Sequence, residues 1–340
     1  MAPTIGFFTR VLDDASAAER YRIALEQIEH AERLGYASAW VAQHHLDGAE
    51  GGLPSPFVLL AAAAARTERI RLGTAILTLA HEHPARAAED AAVLDTLAGG
   101  RAELGLGTGG SPRTLSAFGE DPQHRRAIYD AKLVRLRGLL DGTGDEALYP
   151  ERTGLADRIW QATFSAEGAR AIGAQGDGLM LSRVQPPPAG AEAAPPRVWE
   201  VQRQLVDAYL EALPAGVPPR ILASRSVVVV DAVERGAVRA HAEAGITRQL
   251  AQLHGITPGS LSLDELLVRS ETHLGTPAEV ADSLAADSVA AGATEVSIQV
   301  HSVDPHHTIT HRSLELFARE VAPALGWRIA ASTQEARHAA

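Results

Sequence analysis

The chain has 340 residues, 46% hydrophobic and 21% charged, with a formal net charge of −11. That is more than the roughly 250 residues of a minimal eight-fold barrel and too little for two large domains, so one large core is expected. The negative balance argues against nucleic-acid or anionic-membrane binding, the lack of cysteine removes disulfides, thiolate nucleophiles and Cys-ligated metals, and no apolar run approaches the roughly 18 residues of a membrane span.

The N-terminus, Met1-Ala2-Pro3-Thr4-Ile5, shows no positively charged segment ahead of an apolar one, so the expected setting is the cytoplasm and the expected ligand a small molecule. Ile5-Gly6-Phe7-Phe8 is a short strand-like run. Ser16 followed by Glu19 is a capping-box pattern ahead of the periodic segment Ala17 to Leu34, which predicts a helix. A second strand is predicted at 38–43, an apolar run that ends abruptly on Gln43, His44 and His45. Where parallel strands are covered on both faces, reactive side chains gather at their carboxyl ends, so a terminal imidazole pair favours chemistry over a structural histidine. The polar loop 45–56 carries Gly48, Gly51, Gly52 and two prolines and suits a cover over a site.

The alternation then repeats. Helices are predicted at 57–66, 84–97, 125–140, 165–173, 198–213 and 313–325. Strands are predicted at 70–77, 102–106, 159–164, 178–182, 221–230 and 295–300. Residues 184–197 read as a Pro-rich surface loop and 331–340 as a loose tail. Residues 231–273 read as an irregular, largely helical insertion after the seventh strand, a lid able to bend at Gly245, Gly255 and Gly259. Eight strands alternating with helices predict a single α/β domain over 1–330, a (β/α)8 barrel.

Several stretches in this order resemble the luciferase-like flavin-dependent monooxygenases. They are Ile5-Gly6-Phe7-Phe8, Gly35-Tyr36-Ala37-Ser38-Ala39-Trp40-Val41-Ala42-Gln43-His44-His45, Arg69 to Leu77, His83-Pro84, Glu89-Asp90, Leu94-Asp95, Gly99 to Gly109, Phe118-Gly119 and Gly275-Thr276-Pro277. The resemblance implies FMN at the carboxyl mouth of the barrel. Its ring would lie against a bulge or non-prolyl cis peptide near Thr74-Ala75 and beside Leu106, Gly107 and Thr108. Its phosphate would sit between Arg126 and the turn Ser165-Ala166-Glu167-Gly168, where free backbone N–H groups meet the positive end of a helix. Ser165 is equally a plain N-cap, and the two roles coexist.

Reduced flavin with oxygen gives a cofactor-borne oxidant that the protein must shield from water and serve with a proton donor or acceptor. His44 is the expected proton-handling residue, an imidazole near its ordinary pKa whose tautomer Gln43 or His45 fixes. The family commonly has an acidic residue where Gln43 stands. His81, Arg183, Arg225 and His301 are expected to line the substrate pocket, with Arg183 or Arg225 meeting an anionic group. A homodimer through the Ala-rich second and third helices and a separate NAD(P)H:flavin reductase are the expected partners, and no metal is expected. Three alternatives stay open: deazaflavin F420 with hydride transfer on the same barrel, a flavin-binding barrel without turnover, and a metal-dependent hydrolase using His44, His45, His81 and His83. The last lacks clear acidic ligands at the later strand ends.

Overall fold

A computed structural model describes residues 2–49, 51–144, 146–151, 154–185, 197–254, 256–300 and 305–330. Its strands are β1 (Thr4–Thr9), β2 (Ser38–Val41), β3 (Arg71–Thr74), β4 (Leu77–Thr78), β5 (Ala102–Gly107), β6 (Ile159–Ala162), β7 (Gly178–Leu181), β8 (Ile221–Val229), β9 (Thr272–Gly275) and β10 (Glu295–Gln299). Pairing is parallel throughout, and β10 bonds both β1 and β8, which closes the eight-stave barrel that the sequence predicts. β3 and β4 are two pieces of one stave, separated by a cis Ala75–Ile76 peptide. The expected special peptide thus lies one bond beyond Thr74-Ala75.

The helices are α1 (Ala17–Leu34), α2 (Pro56–Ala64), α3 (Pro84–Leu97), α4 (Pro112–Ala117), α5 (Arg125–Asp141), α6 (Ala166–Ala174), α7 (Val198–Ala212), α8 (Arg235–His254), α9 (Leu263–Arg269), α10 (Pro277–Ala285), α11 (Ser288–Gly292) and α12 (His307–Leu316). α1 starts where predicted because Ser16 Oγ accepts the Glu19 N–H at 3.4 Å, and Gly35 at φ 88° ends it. α12 starts six residues before the predicted 313, because the His306 ring caps it by accepting the Thr308 N–H, and imidazole is an uncommon cap. α4 went unpredicted, although Ser111 caps it at 3.2 Å and Pro112 opens it. Within the 231–273 insertion Gly245 lies inside α8, so it is no hinge, and Gly255 is outside the described residues. β9 begins inside that stretch and extends the sheet along the outer half of β8. Among the described residues no helix is long and apolar enough to cross a membrane.

Period-two alternation gives the barrel two cores. Ile5, Phe7, Ala39, Val41, Leu72, Leu104, Leu106, Leu179, Val296 and Ile298 belong to the core shared by strands and helices. The alternate residues Phe8, Trp40, Ala42, Trp160, Met180 and Leu222 form a separate interior cluster. Trp40 and Trp160 meet edge to face, centroids 5.8 Å apart, and fit because Gly73 and Gly178 face them: a Cβ on either would come within 2.3 Å of an indole. Below them Arg71 bonds Glu103 at 2.8 Å and also Glu295, while Trp160 Nε1 donates to Glu103 at 2.6 Å and Trp40 Nε1 to Glu295 at 2.7 Å.

Outside β8, Arg225 and Asp287 form an ion pair with both side chains at 0% exposure. Gln202 of α7 also accepts from Arg225, and Asp287 caps α11 by accepting from Val289 and Ala290 at 3.0 and 2.8 Å. Removing one partner strands a buried charge. Asp287→Ala is expected to lower unfolding free energy by about 3–5 kcal/mol, and the apolar pair Arg225→Met/Asp287→Leu by less. Urea denaturation of both variants checks this; equal losses would mean that the pairing itself, not the stranded charge, is what matters.

Candidate active site at the mouth of the barrel

Where β2 ends, alternation sends neighbouring side chains to opposite sides. Ala42 packs in the interior cluster, and His44, two residues on, meets Arg10 beyond the end of β1, with Nε2 3.4 Å from the guanidinium. A guanidinium only donates, so Nε2 accepts and the proton sits on Nδ1, which has no partner among the described residues. The loop after β2 closes over this ring: the His44 N–H donates to Leu53 O at 3.0 Å, and a Cβ on Gly51 would fall 2.3 Å from Nδ1. Burial first, then the charge on Arg10, lowers the His44 pKa from 6.5 to about 4. The expectation of an imidazole poised near neutrality is therefore corrected: in this state it is a neutral ring.

Gln43 is corrected as well. Its amide faces away from the His44 ring, donating to Glu82 at 2.7 Å and Pro54 O at 3.2 Å and accepting the Thr78 N–H at 2.8 Å. It braces the loop and the chain after the cis peptide, and it does not fix the tautomer of His44. His45 lies edge-on to His81 and Phe118, at 5.8 and 4.7 Å between centroids, and His81 stacks on Phe118 at 5.3 Å. Burial lowers both imidazoles, His81 to about 4. Among the described residues no three His, Asp or Glu assemble as a metal site.

The floor of the mouth is apolar and carries little side-chain bulk apart from Ile76. Ala75, Ile76 and Ala162, partly exposed, pack on the interior cluster of the two tryptophans. Gly107 faces Ile76, and a Cβ there would lie 2.8 Å from its side chain. The Thr74 hydroxyl donates to Gly105 O at 2.7 Å and accepts the Gly105 N–H at 3.0 Å, so it holds β3 to β5 instead of facing the mouth. Leu106 turns outward into the helix-side core, which leaves only its backbone beside the site. Thr108 follows, half-buried.

Ser165 caps α6, its Oγ accepting the Gly168 N–H at 3.1 Å, with Ala166 and Glu167 exposed in the first turn. Gly168 is held close to Thr163, where a Cβ would meet Oγ1 at 2.2 Å. Arg126, in the first turn of α5, is half-exposed and paired to Asp130 at 2.9 Å. One turn on, Tyr129 donates to Gln161 on β6 at 2.8 Å, which ties α5 to the strand leading to Ser165. Arg183 reaches Ser226 Oγ at 3.5 Å across the ends of β7 and β8. Arg225 points to the helix side, in the buried pair with Asp287, and is removed from the pocket. His301 lies outside the described residues. Arg10 and Phe118 are the site residues that sequence reasoning passed over; the inward position after Phe8 was the available signal for Arg10.

Residues 4–295 match the sequence model of the luciferase-like monooxygenases. The 4-hydroxyprotoasukamycin monooxygenase of Streptomyces nodosus subsp. asukaensis is 30% identical over 324 residues, 88% of this chain and 85% of its own. The oxygenating constituent of the 3,6-diketocamphane monooxygenase of Pseudomonas putida, a type II Baeyer-Villiger monooxygenase solved with FMN, superposes with a TM-score of 0.70 at 21% identity, covering 97% of this chain and 99% of its own. An F420-dependent secondary alcohol dehydrogenase in complex with an F420-acetone adduct gives 0.69 at 18% identity, covering 96% and 99%. The last two identities, 21% and 18%, speak to the fold alone.

His44 and His81 have folded pKa values near 4 against an ordinary 6.5, so between those values the unfolded chain binds more protons than the folded one. Their contribution to stability is complete above pH 6.5 and is lost as pH falls towards 4. Urea midpoints across this window are expected to fall with pH, and more shallowly in a His44→Asn/His81→Phe variant. Parallel curves would show that neither ring is held neutral.

Proposed function

The chain belongs to the luciferase-like monooxygenase family, and from that premise we propose that it uses reduced FMN and oxygen to oxygenate a small organic substrate at the carboxyl mouth of the barrel. The observation that carries the reading is the narrow apolar floor at Ala75, Ile76, Gly107 and Ala162, with the neutral imidazole of His44 past the end of β2, the stave beside β3. Reduced flavin, when bound, supplies the activation of oxygen. The chain's own residues position the partners and manage the proton. Thr74 and Gly105 hold the floor in shape, and the Arg126 guanidinium, now paired with Asp130, and the first turn of α6 would hold the phosphate. His44 keeps its proton on Nδ1, under Gly51, and accepts from Arg10 at Nε2, so it becomes a neutral donor to the site when the loop 45–56 shifts. His45, His81 and Phe118 wall the pocket with ring faces and exclude water, while Arg183 faces the β7–β8 side of the substrate.

F420 is the second reading, motivated by the dehydrogenase of like fold. Reduced flavin arrives from a separate NAD(P)H:flavin reductase, and the α8–α9 insertion closes over the bound substrate. A homodimer through α2 and α3 accounts for Val58, Val93 and Leu97 standing exposed there. Light scattering at micromolar concentration should find the dimer, and a monomer would remove that proposal.

Mass identification of the cofactor retained after reconstitution decides between FMN and F420. With FMN, Arg126→Ala is expected to weaken binding by about 1.5–3 kcal/mol. His44→Ala should leave FMN affinity nearly unchanged and lower oxygen-coupled turnover by about 10²–10⁴-fold. Unaltered affinity in the first variant misplaces the phosphate. Full turnover with weakened flavin binding in the second makes His44 a packing residue.

A further inference from the structure

β10 carries three polar residues on the face turned into the barrel, Glu295, Ser297 and Gln299, alternating with Val296 and Ile298 in the outer core. Glu295 is satisfied by Trp40, Ser38 and Arg71. The other two are not. Gln299 is 0% exposed and Ser297 1%, yet both amide atoms of Gln299 and the Ser297 hydroxyl lack a partner among the described residues. A buried polar group left unpaired costs about 1–3 kcal/mol, and a chain keeps one where something else completes it. Gln299 ends β10 at the carboxyl edge of the barrel, in register with Phe8 of β1 and Ser226 of β8. That is the β1–β8–β10 side, opposite the β3–β5 floor assigned to the flavin ring.

We infer that Gln299, with Ser297 one inward position deeper, is the substrate's polar anchor, and that it takes an uncharged oxygen function, a carbonyl or hydroxyl. The chemistry of the donor set argues for this class. An amide and a hydroxyl are neutral and both donate and accept, which matches a carbonyl or alcohol oxygen. A carboxylate needs a cation in contact, and the guanidiniums at the mouth are already engaged, Arg10 with His44 and Arg183 with Ser226. The ring faces of His45, His81 and Phe118 are then left for the apolar remainder of the substrate. Gln299 is sealed from solvent in this state, so the anchor is reached only when its cover moves. The inference rests on the proposed function solely in placing the substrate across the mouth from the flavin.

The test uses the full chain without flavin and two probes of equal chain length, 2-octanone and octanoate, followed by saturation-transfer NMR. The wild-type chain is expected to bind 2-octanone more tightly than octanoate, and Gln299→Leu to weaken the ketone by about tenfold, the loss of one neutral hydrogen bond. Because Leu replaces an unpaired amide with an apolar group of similar size, the variant should melt no lower than wild type, whereas a structural Gln299 would lower the melting temperature. FMN affinity, measured separately, should not change. Undiminished ketone binding in Gln299→Leu, preference for octanoate, no ketone binding by the wild-type chain at millimolar concentration, or a loss of FMN affinity in the variant each overturns the anchor. Ketone binding that depends on Gln299 in a protein that retains neither FMN nor F420 would sink the cofactor reading and leave the anchor standing.

Discussion

Closure of the barrel by β10 against both β1 and β8 is the constraint on which the rest depends. A closed parallel sheet has no solvent face: each strand residue goes either to the helix-side core or to the narrow interior, and a shift of one residue exchanges the two. Assignments that look adjacent in sequence therefore end up on opposite sides of a wall. His44 reaches the mouth while Gln43 braces the loop behind it, and Gly107 forms floor while Leu106 packs under helices. Arg225 is committed to Asp287 outside the barrel, while Ser226 faces Arg183 inside.

The same constraint sets what was legible in the sequence. Strand existence and order were readable from apolar runs bounded by glycine and proline, and the carboxyl ends marked the candidate site because reactive side chains in a covered sheet gather there. The resemblance to a known family supplied the break in the third stave, which falls at Ala75–Ile76, and the proposals for the cofactor and the phosphate turn. Parity was not read. Arg225 entered the pocket on the sequence view as a strand-end residue able to meet an anion; what it meets is Asp287, 62 residues on, and no local pattern reports a partner at that distance. Thr74 was likewise taken for a cofactor contact, when its hydroxyl had to serve both backbone groups of Gly105.

The site's electrostatics were also beyond the sequence, because they depend on who is buried beside whom. A histidine pair at a strand end suggests titration near neutrality. Folding places His44 under the loop of Gly51 and against a guanidinium, and both effects disfavour a second proton. His81, walled by His45 and Phe118, is neutral for the first of these reasons. The mouth therefore holds imidazoles without charge, and its guanidiniums, Arg10 and Arg183, stand beside His44 and Ser226.

The two ends of the barrel interior solve the polar-burial problem differently. At the foot every polar group is spoken for: Arg71 serves Glu103 and Glu295, and each carboxylate also receives an indole N–H, so the charges fix the tryptophans and the tryptophans seal the charges from water. Two residues further along the same inward face of β10 this completeness ends with Ser297 and then Gln299. A chain able to satisfy buried carboxylates at one end of a strand is not short of partners for an amide at the other. The contrast along one strand separates a foot built for permanence from a mouth whose hydrogen bonds are reserved for a molecule that comes and goes.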